Sequence, residues 1–264
     1  KSDGFIYENY LLIIMVYPQY KNKHAEAALF NPEDYVNWKK IKKSPVKKPT
    51  KYILIYYPRI LKYFKSKFKA KKINYYRLIT IHQFKNIGVV LMTGIGSPHA
   101  TTVLEELIAL GGKEFLNIGS AGGLQNFGVF LCDKAIRDEG TSHHYFKHSK
   151  YSYPDKTLSE KLKKSIGKQE LKFQQGTTWT IDAPYRETKT EVKHYKKQGV
   201  KTVEMEASAL FAVAKLRKVK IAAAFVVSDI LGEDKWDPNF DAKHVKQSLN
   251  KLMDAAVDCL LNSR

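Results

Sequence analysis

The 264 residues are 44% hydrophobic and 12% aromatic, which supplies a packed core and excludes a mostly disordered chain. Lys and Arg number 45 against 26 Asp and Glu, a formal charge of +19. Two cysteines, Cys132 and Cys259, exclude a disulfide framework and a four-cysteine zinc site, and no other residues cluster as a metal site. The longest apolar run near the start, residues 11–16, is too short for a membrane span or for the core of a signal peptide. We therefore expect a soluble, cytoplasmic protein with no membrane partner and no metal.

In chain order, short apolar strands alternate with amphipathic helices. Strands are predicted over residues 52–56, 87–92, 115–118, 129–137, 173–181, 200–205 and 221–228. Helices are predicted over residues 58–69, 100–110, 157–166, 207–216 and 242–261, after a first helix that begins at Asn31 and Pro32. The alternation predicts an α/β fold, a single three-layer domain with a central, mostly parallel or mixed sheet flanked by helices. Residues 1–22 are predicted to be an N-terminal extension, residues 44–49 a basic linker and residues 23–264 one domain.

The positive charge is concentrated in residues 36–103, which contain 14 Lys, 2 Arg and no acidic residue. Such a segment either attracts phosphate or nucleic acid, or simply forms the charged, water-solvated surface of a lysine-rich protein. Aromatic residues are interleaved with the lysines, as in a stacking surface, but they equally form the apolar sides of ordinary elements. Because no nucleic-acid-binding signature accompanies them, we favour the solvated surface and do not expect nucleic acid as a partner.

Two predicted strands end in glycine-rich turns that lead toward helices, at residues 94–97 and 119–123. Ligands of parallel sheets bind beyond the carboxyl ends of the strands. Glycine lets the backbone approach an anion, a helix N-terminus offers N–H groups, and Ser120 adds a hydroxyl. The two turns together indicate an anion site, although tight strand–helix turns also need glycine for geometry alone.

Acidic residues follow two other strands. Glu204 and Glu206 flank Met205 where a strand meets a helix, and Asp229 follows the apolar residues 222–227. A carboxylate at the end of a buried strand is costly unless it has partners or a function. Asp229 is a candidate general acid, and Glu206 is a candidate acceptor for the two hydroxyls of a diol such as ribose. The alternative is that each carboxylate only caps the next helix.

These residues resemble the nucleoside phosphorylase family of the hexameric type, which includes uridine phosphorylases, bacterial purine nucleoside phosphorylases and methylthioadenosine nucleosidases. The most specific stretch, residues 203–207, is similar to the ribose-binding signature of the family. Residues 93–98 and 139–144 look like uridine phosphorylase, and residues 118–120 match the phosphate turn. The resemblance extends from about His24 to the C-terminus.

The resemblance implies that inorganic phosphate is a co-substrate and that no cofactor is needed. Gly94, Gly96 and Ser120 would bind phosphate. Arg77 of the neighbouring subunit would contact the same phosphate across a dimer interface. We therefore expect a homo-oligomer, a hexamer built from dimers as in the family. Phosphorolysis passes through a ribosyl cation-like state, so the enzyme must hold phosphate, the sugar hydroxyls and the departing base together.

For the nucleoside, the resemblance assigns Met205 and Glu206 to ribose, with His24 reaching a sugar hydroxyl in a neighbouring subunit. Trp179 falls where the family often stacks an aromatic ring on the base. The alternative is that this single Trp only packs in the hydrophobic core. Arg186 matches an arginine beside the base and counts as a catalytic candidate. These roles imply a pentosyltransferase of nucleotide salvage that releases free base and ribose 1-phosphate.

The sequence also departs from the family. The first phosphate loop of the family is usually Gly-Asp-Pro-x-Arg, whereas residues 56–59 read Tyr-Tyr-Pro-Arg, and Asn117 stands where a second phosphate arginine is usual. Either local lysines replace these contacts, or water is the nucleophile and the protein is a nucleosidase.

The sequence similarities also disagree about which base the protein binds. Asp229 after Ser228 matches the purine enzymes, while more stretches resemble uridine phosphorylase. We therefore expect a nucleoside phosphorylase, slightly closer to uridine phosphorylase. The alternatives are a purine nucleoside phosphorylase, a water-using nucleosidase and a non-catalytic basic protein that binds nucleic acid.

Overall fold

The computed structural model describes residues 17, 18, 20, 23–39, 48–76, 79–232 and 235–262. The strands are β1 (Lys51–Ile55), β2 (Lys71–Tyr76), β3 (Ile79–Phe84), β4 (Ile87–Leu91), β5 (Glu114–Gly123), β6 (Val129–Asp138), β7 (Tyr151–Ser152), β8 (Phe173–Ile181), β9 (Thr202–Glu204), β10 (Lys220–Leu231) and β11 (Trp236–Pro238). The helices are α1 (Pro32–Trp38), α2 (Pro58–Phe68), α3 (Ser97–Ala109), α4 (Lys156–Lys168), α5 (Lys189–Lys197), α6 (Ala207–Arg217) and α7 (Lys243–Leu261). Most of the predicted extension and linker, and Arg77, lie outside the described residues.

The eleven strands found among the described residues belong to one mixed sheet, in the order β11-β10-β6-β8-β9-β5-β1-β4-β3-β2, with β7 paired to β6. The central pairs β1–β4, β1–β5 and β5–β10 are parallel, and β10 also pairs antiparallel with β6. Because β10 contacts both β5 and β6, the strands β5, β10, β6, β8 and β9 close into a ring. The ring brings the carboxyl ends of β5, β9 and β10 together.

Two large apolar cores cover the two faces of the sheet. Residues of α3 and α6 form one core with the sheet, and residues of α2, α4 and α7 form the other. In α2, Pro58 occupies the first turn and Ile60 and Phe64 lie four residues apart on the buried face. A smaller third core surrounds Trp179. The predicted α/β three-layer class is thus confirmed. No helix among the described residues has both the length and the apolarity to cross a membrane.

The predicted strands and helices from residue 52 onward are all present, with changes at their ends. The structure adds β2, β3, β7, β11 and α5, which the hydrophobic pattern did not predict. One prediction was wrong: residues 119–123 are not a turn toward a helix but the last half of β5. A Cβ at Gly122 would lie 2.5 Å from Leu231 Cδ1 and 2.9 Å from Val203 Cγ1, so glycine here permits β9 and β10 to pack closely against β5.

Candidate active site

A cavity of about 880 Å³ lies where β1, β5, β9 and β10 end. Four of the predicted site residues line it: Ser120, Met205, Glu206 and Asp229. They come from three segments of the chain, with Ser120 and Asp229 more than a hundred residues apart, and the ring closure of the sheet brings them together. This is the carboxyl-end location expected for a ligand of a parallel sheet.

The Gly96 turn and the Met205–Glu206 segment are in direct contact. The Gly96 N–H donates to Glu206 Oε1 at 2.6 Å, and Ser97 Oγ donates to the carbonyl oxygen of Met205 at 2.7 Å. Gly96 has φ = 94°, a conformation that favours glycine, and its Cβ position lies 3.9 Å from Met205 Cε. The turn before α3 therefore fixes the position of Glu206.

The carboxylate of Glu204 accepts hydrogen bonds from the backbone at the start of α6. Its Oε2 accepts the N–H groups of Glu206 and Ala207 at 2.8 and 2.7 Å, and its Oε1 accepts the hydroxyl of Thr180. Burial raises the pKa of Glu204, and the nearby Glu206 carboxylate adds to that rise. Burial also raises the pKa of Glu206. The pair consequently carries less than two negative charges near neutral pH.

Asp229 lies at a bulge of β10 opposite Gly122 and is buried. Its two carboxylate oxygens have separate donors: Ser228 Oγ–H reaches Oδ1 at 2.8 Å, and Trp236 Nε1–H reaches Oδ2 at 2.8 Å. Trp236 belongs to β11, which pairs with the last residues of β10 and also lines the cavity. Asp229 is therefore fixed in the cavity wall by its own strand and by the strand that follows.

The end of the cavity near Ser120 is occupied by two tyrosines from the segment between β1 and α2. The hydroxyls of Tyr57 and Ser120 are 2.7 Å apart. The Tyr56 ring lies 3.2 Å from a Cβ position at Gly119, with its hydroxyl buried. Burial raises the pKa of Tyr56, and the charges of Glu206 and Glu204 raise it further.

Asn117 lies two residues before Gly119, on the same face of β5. It is fully buried, and neither its amide nitrogen nor its amide oxygen has a partner among the described residues. A buried amide without partners costs free energy, and it does not supply the positive charge that an arginine at this position would have.

Three of the residues assigned from the sequence do not line this cavity, although the expected contact of His24 with a sugar in a neighbouring subunit stays a prediction. Trp179 is fully buried, its indole N–H donates to Asp138 Oδ2 at 2.8 Å, and it packs in the third core instead of lining the cavity. Arg186 is exposed at the end of a short 3-10 helix and is not among the lining residues. His24 Nε2 donates to the carbonyl oxygen of His143 in its own chain at 2.7 Å, outside the cavity wall.

Of the predicted phosphate residues, Gly94 also lies outside the cavity wall, where its Cβ position is 3.5 Å from the His99 ring. Arg77 lies outside the described residues. Only Ser120 lines the cavity itself, while Gly96 contributes through its bond to Glu206.

The sequence analysis did not assign several other residues that line the cavity. They are Tyr185, Glu187, Lys189, Lys235, Trp236 and Phe240. The resemblance placed Arg186 beside the base, but its neighbours Tyr185 and Glu187 line the cavity instead. No signal in the sequence distinguished Trp236 from an ordinary exposed aromatic residue, because its role depends on β11 pairing back onto β10.

Comparison with known proteins gives consistent similarities. A family model described as the phosphorylase superfamily matches residues 58–260. The chain is 27% identical over 173 residues to the purine nucleoside phosphorylase of Plasmodium vivax (strain Salvador I), covering 62% of this chain and 70% of that protein. It is 30% identical over 153 residues to the uridine phosphorylase of Treponema pallidum (strain Nichols), covering 52% of this chain and 59% of that protein.

Among solved structures, the fold is similar to that of an AMP nucleosidase from Bacteroides thetaiotaomicron VPI-5482. The TM-score is 0.72 at 20% sequence identity, with 89% of this chain and all of that chain covered. At this identity the likeness concerns the fold. The similarities therefore include proteins named for phosphorolysis of purine and pyrimidine nucleosides and one named for hydrolysis.

Proposed function

The chain belongs to the phosphorylase superfamily, and we propose that it cleaves the N-glycosidic bond of a nucleoside. The observation that supports this most strongly is the meeting of Met205, Glu206 and Asp229 in one cavity of about 880 Å³. A volume of this size accommodates a small-molecule ligand. The three side chains supply an apolar surface, an acceptor for a diol and a second carboxylate.

The ribose is proposed to lie on Met205 with its hydroxyls toward Glu206. A carboxylate has about four acceptor sites, so Glu206 can accept the Gly96 N–H and a ligand hydroxyl together. Because Gly96 and Glu204 both fix Glu206 before a ligand arrives, little conformational entropy is lost on binding.

The base is proposed to lie at the other end of the cavity, between Asp229 and the aromatic residues Tyr185, Trp236 and Phe240. Aromatic rings suit a flat heterocycle, and a carboxylate suits a ring N–H or a base that takes up a proton. We propose a purine. The argument for uracil depended on Arg186, which is exposed and does not line the cavity.

Water is proposed as the nucleophile. A phosphate dianion in a closed cleft needs fixed positive partners. Near Ser120 the structure instead places Tyr56 and Tyr57, and buries Asn117 two residues before Gly119. In this reaction the water oxygen bonds to C1′ of the sugar and loses a proton. The electron pair of the glycosidic bond leaves with the base, and a nitrogen of the base gains a proton.

Phosphorolysis is the second candidate, and the Ser120 hydroxyl in the cavity wall favours it. The relatives that are 27% and 30% identical are also named as phosphorylases. In this case inorganic phosphate is the co-substrate, and the missing positive charge would come from Arg77 of a second copy.

One assay separates these candidates. The full chain is incubated with inosine, guanosine, adenosine and uridine, with and without phosphate, and the sugar product is identified. Release of free ribose at a rate independent of phosphate supports the nucleosidase. Phosphate-dependent ribose 1-phosphate supports phosphorolysis, and preference for uridine contradicts the purine proposal. Release of no base from any nucleoside contradicts the proposed function itself.

We also propose a homo-oligomer. Leu29, Phe30 and Trp38 are large apolar side chains that are exposed in the single chain, in and just before α1. Sedimentation at several concentrations measures the oligomeric state, and a monomer at all of them contradicts the proposal. If Arg77 acts across the contact, inactive Arg77→Ala and Glu206→Ala chains regain activity when they are mixed and reassembled.

A further inference from the structure

Asp229 receives its hydrogen bonds from two chemically different donors. The Ser228 hydroxyl reaches Oδ1 at 2.8 Å, and the indole N–H of Trp236 reaches Oδ2 at 2.8 Å. A hydroxyl both donates and accepts, whereas an indole N–H only donates. Ser228 Oγ also lies 3.5 Å from the carbonyl oxygen of Ala121, which is a second acceptor for its hydrogen. The hydrogen bond on the Ser228 side can therefore reverse its direction, and the one on the Trp236 side cannot.

This difference determines which oxygen of Asp229 can carry a proton. A proton on Oδ2 would compete with the indole N–H for the same oxygen, and the indole cannot accept it. On Oδ1 the proton faces Ser228 Oγ, which can accept it while the Ser228 hydroxyl turns to the carbonyl oxygen of Ala121. Both carboxyl oxygens then keep their partners. The protonated carboxyl group of Asp229 thus has its O–H at Oδ1 and its carbonyl oxygen at Oδ2.

Trp236 reaches Asp229 because of the backbone pairing around it. Its side chain lines the cavity and is 59% exposed, so burial alone does not place it, whereas Asp229 is 7% exposed. β11 pairs antiparallel with the end of β10, with Trp236 opposite Leu231 and Pro238 opposite Asp229. The pairing of the two strands therefore brings a partly exposed indole to a buried carboxyl group in the cavity wall.

We propose that Trp236 is the positioning residue for Asp229 as general acid: its indole N–H fixes Oδ2 as the acceptor oxygen and leaves the acid proton on Oδ1. This inference rests on the proposed function. As the C1′–N bond breaks, its electron pair passes to the base, and the Oδ1 proton moves to a ring nitrogen. The Ser228 hydroxyl then turns from Ala121 to Oδ1, so the new carboxylate gains a donor. The nucleophilic water loses a proton as it bonds to C1′, and that proton restores the acid form of Asp229.

The kinetic test compares two leaving groups. A purine nucleoside needs a proton on its base, whereas p-nitrophenyl riboside releases a stable anion without one. Asp229→Asn should lower kcat for the nucleoside by roughly 10²–10⁴-fold. Trp236→Phe keeps an aromatic ring and removes the N–H donor, so it should lower kcat for the nucleoside by roughly 10-fold or more. It should change kcat for p-nitrophenyl riboside by less than about threefold, because that reaction needs no acid.

A double-mutant cycle tests whether Trp236 acts through Asp229. In the Asp229→Asn background, Trp236→Phe should change kcat for the nucleoside by less than about threefold, since the acid step is already lost. Trp179→Phe is the matched control, because it removes an indole N–H from Asp138 Oδ2, also at 2.8 Å, in a core outside the cavity wall. This control should leave the ratio of kcat for the two substrates unchanged.

A spectroscopic measurement tests the contact without turnover. In ultraviolet resonance Raman spectra, one indole band reports the hydrogen bond of the ring N–H. Subtracting the Trp236→Phe spectrum from that of the unchanged protein isolates the band of Trp236, and the same subtraction in the Asp229→Asn background isolates it without the carboxyl group. The band should move toward a weaker hydrogen bond in the second difference. Identical bands would show that Trp236 does not donate to Asp229 and would overturn the proposal.

The remaining outcomes separate the positioning role from the reaction itself. Equal losses of kcat with both substrates, or an undiminished effect of Trp236→Phe in the Asp229→Asn background, would make Trp236 only a part of the cavity wall and overturn the proposal. A Trp236→Phe enzyme with a higher kcat would overturn it too, because the indole N–H would then hinder Asp229. If the unchanged protein releases no base from any nucleoside, the proposed function fails, and the Raman differences still decide whether Trp236 fixes Asp229.

Discussion

Replacing Glu206 by Gln tests the ribose site most directly, because it removes the charge and keeps the shape. The glutamine oxygen can still accept the Gly96 N–H that now lies 2.6 Å from Glu206 Oε1, so the turn before α3 should stay in place. What is lost is the charged acceptor for the sugar diol. Hydrogen bonds to charged groups contribute about 1.5–3 kcal/mol. This corresponds to a loss in kcat/KM of roughly 10- to 150-fold.

The assay compares a ribonucleoside with its 2′,3′-dideoxy analogue in both proteins. The unchanged protein should prefer the ribonucleoside by about the same 10- to 150-fold, and Glu206→Gln should lose most of that preference. Burial raises the pKa of Glu206 to about 7, so kcat/KM should increase as the pH rises through about 7 and Glu206 ionises. The variant should lack this increase.

Glu204→Gln is the matched control. Glu204 lines the same cavity, but its two carboxylate oxygens already accept the backbone N–H groups of Glu206 and Ala207 and the hydroxyl of Thr180. Its replacement should lower Tm while the preference for the ribonucleoside remains. Full retention of that preference in Glu206→Gln would refute the reasoning and make Glu206 a residue that only anchors the Gly96 turn.

Three further changes probe the rest of the chain. Tyr56→Gly should open the space beside Gly119 and make turnover respond to phosphate, with ribose 1-phosphate among the products; an unchanged product pattern would show that the Tyr56 ring does not exclude phosphate. Gly122→Ala, whose Cβ would lie 2.5 Å from Leu231 Cδ1, should lower the free energy of unfolding by about 1–3 kcal/mol in urea titrations, and equal stability would contradict the close packing. Glu106 is buried and its pKa is raised by burial to about 7, so the folded chain holds a proton that the unfolded chain releases and stability falls as pH rises from about 4.5 to about 7. Glu106→Gln should flatten Tm against pH over this interval, and an unaltered slope would contradict the assignment.

The strands and helices could be predicted because each is encoded by a local pattern. The apolar residues 222–227 fit a strand buried on both faces, and Ile60 and Phe64 four residues apart fit one face of a helix. The same local reasoning placed Ser120, Glu206 and Asp229 after or near strand ends. Since the carboxyl ends of neighbouring parallel strands meet, it also grouped them correctly in one cavity.

The remaining features depend on contacts between distant parts of the chain. Residues 119–123 look like a turn in sequence but continue β5, because β9 and β10 pair with them and require their lack of side chains. Trp179 was assigned to the base and lies in a core, because α5 covers it. A short stretch of sequence shows the hydrophobic periodicity of a helix or strand, but it does not show which other helix or strand packs against it.

The sequence by itself determined the fold class, the family and four of the residues that line the cavity. Only the tertiary structure decided how the two ends of the cavity are built. It placed Tyr56 and Tyr57 against Gly119 and Ser120, and it brought Glu187 from the segment before α5 into the wall of the cavity that Asp229 also lines. The physical reason is ring closure: β10 pairs with both β5 and β6, and this single long-range arrangement sets which side chains share the buried space and therefore which of them keep a charge.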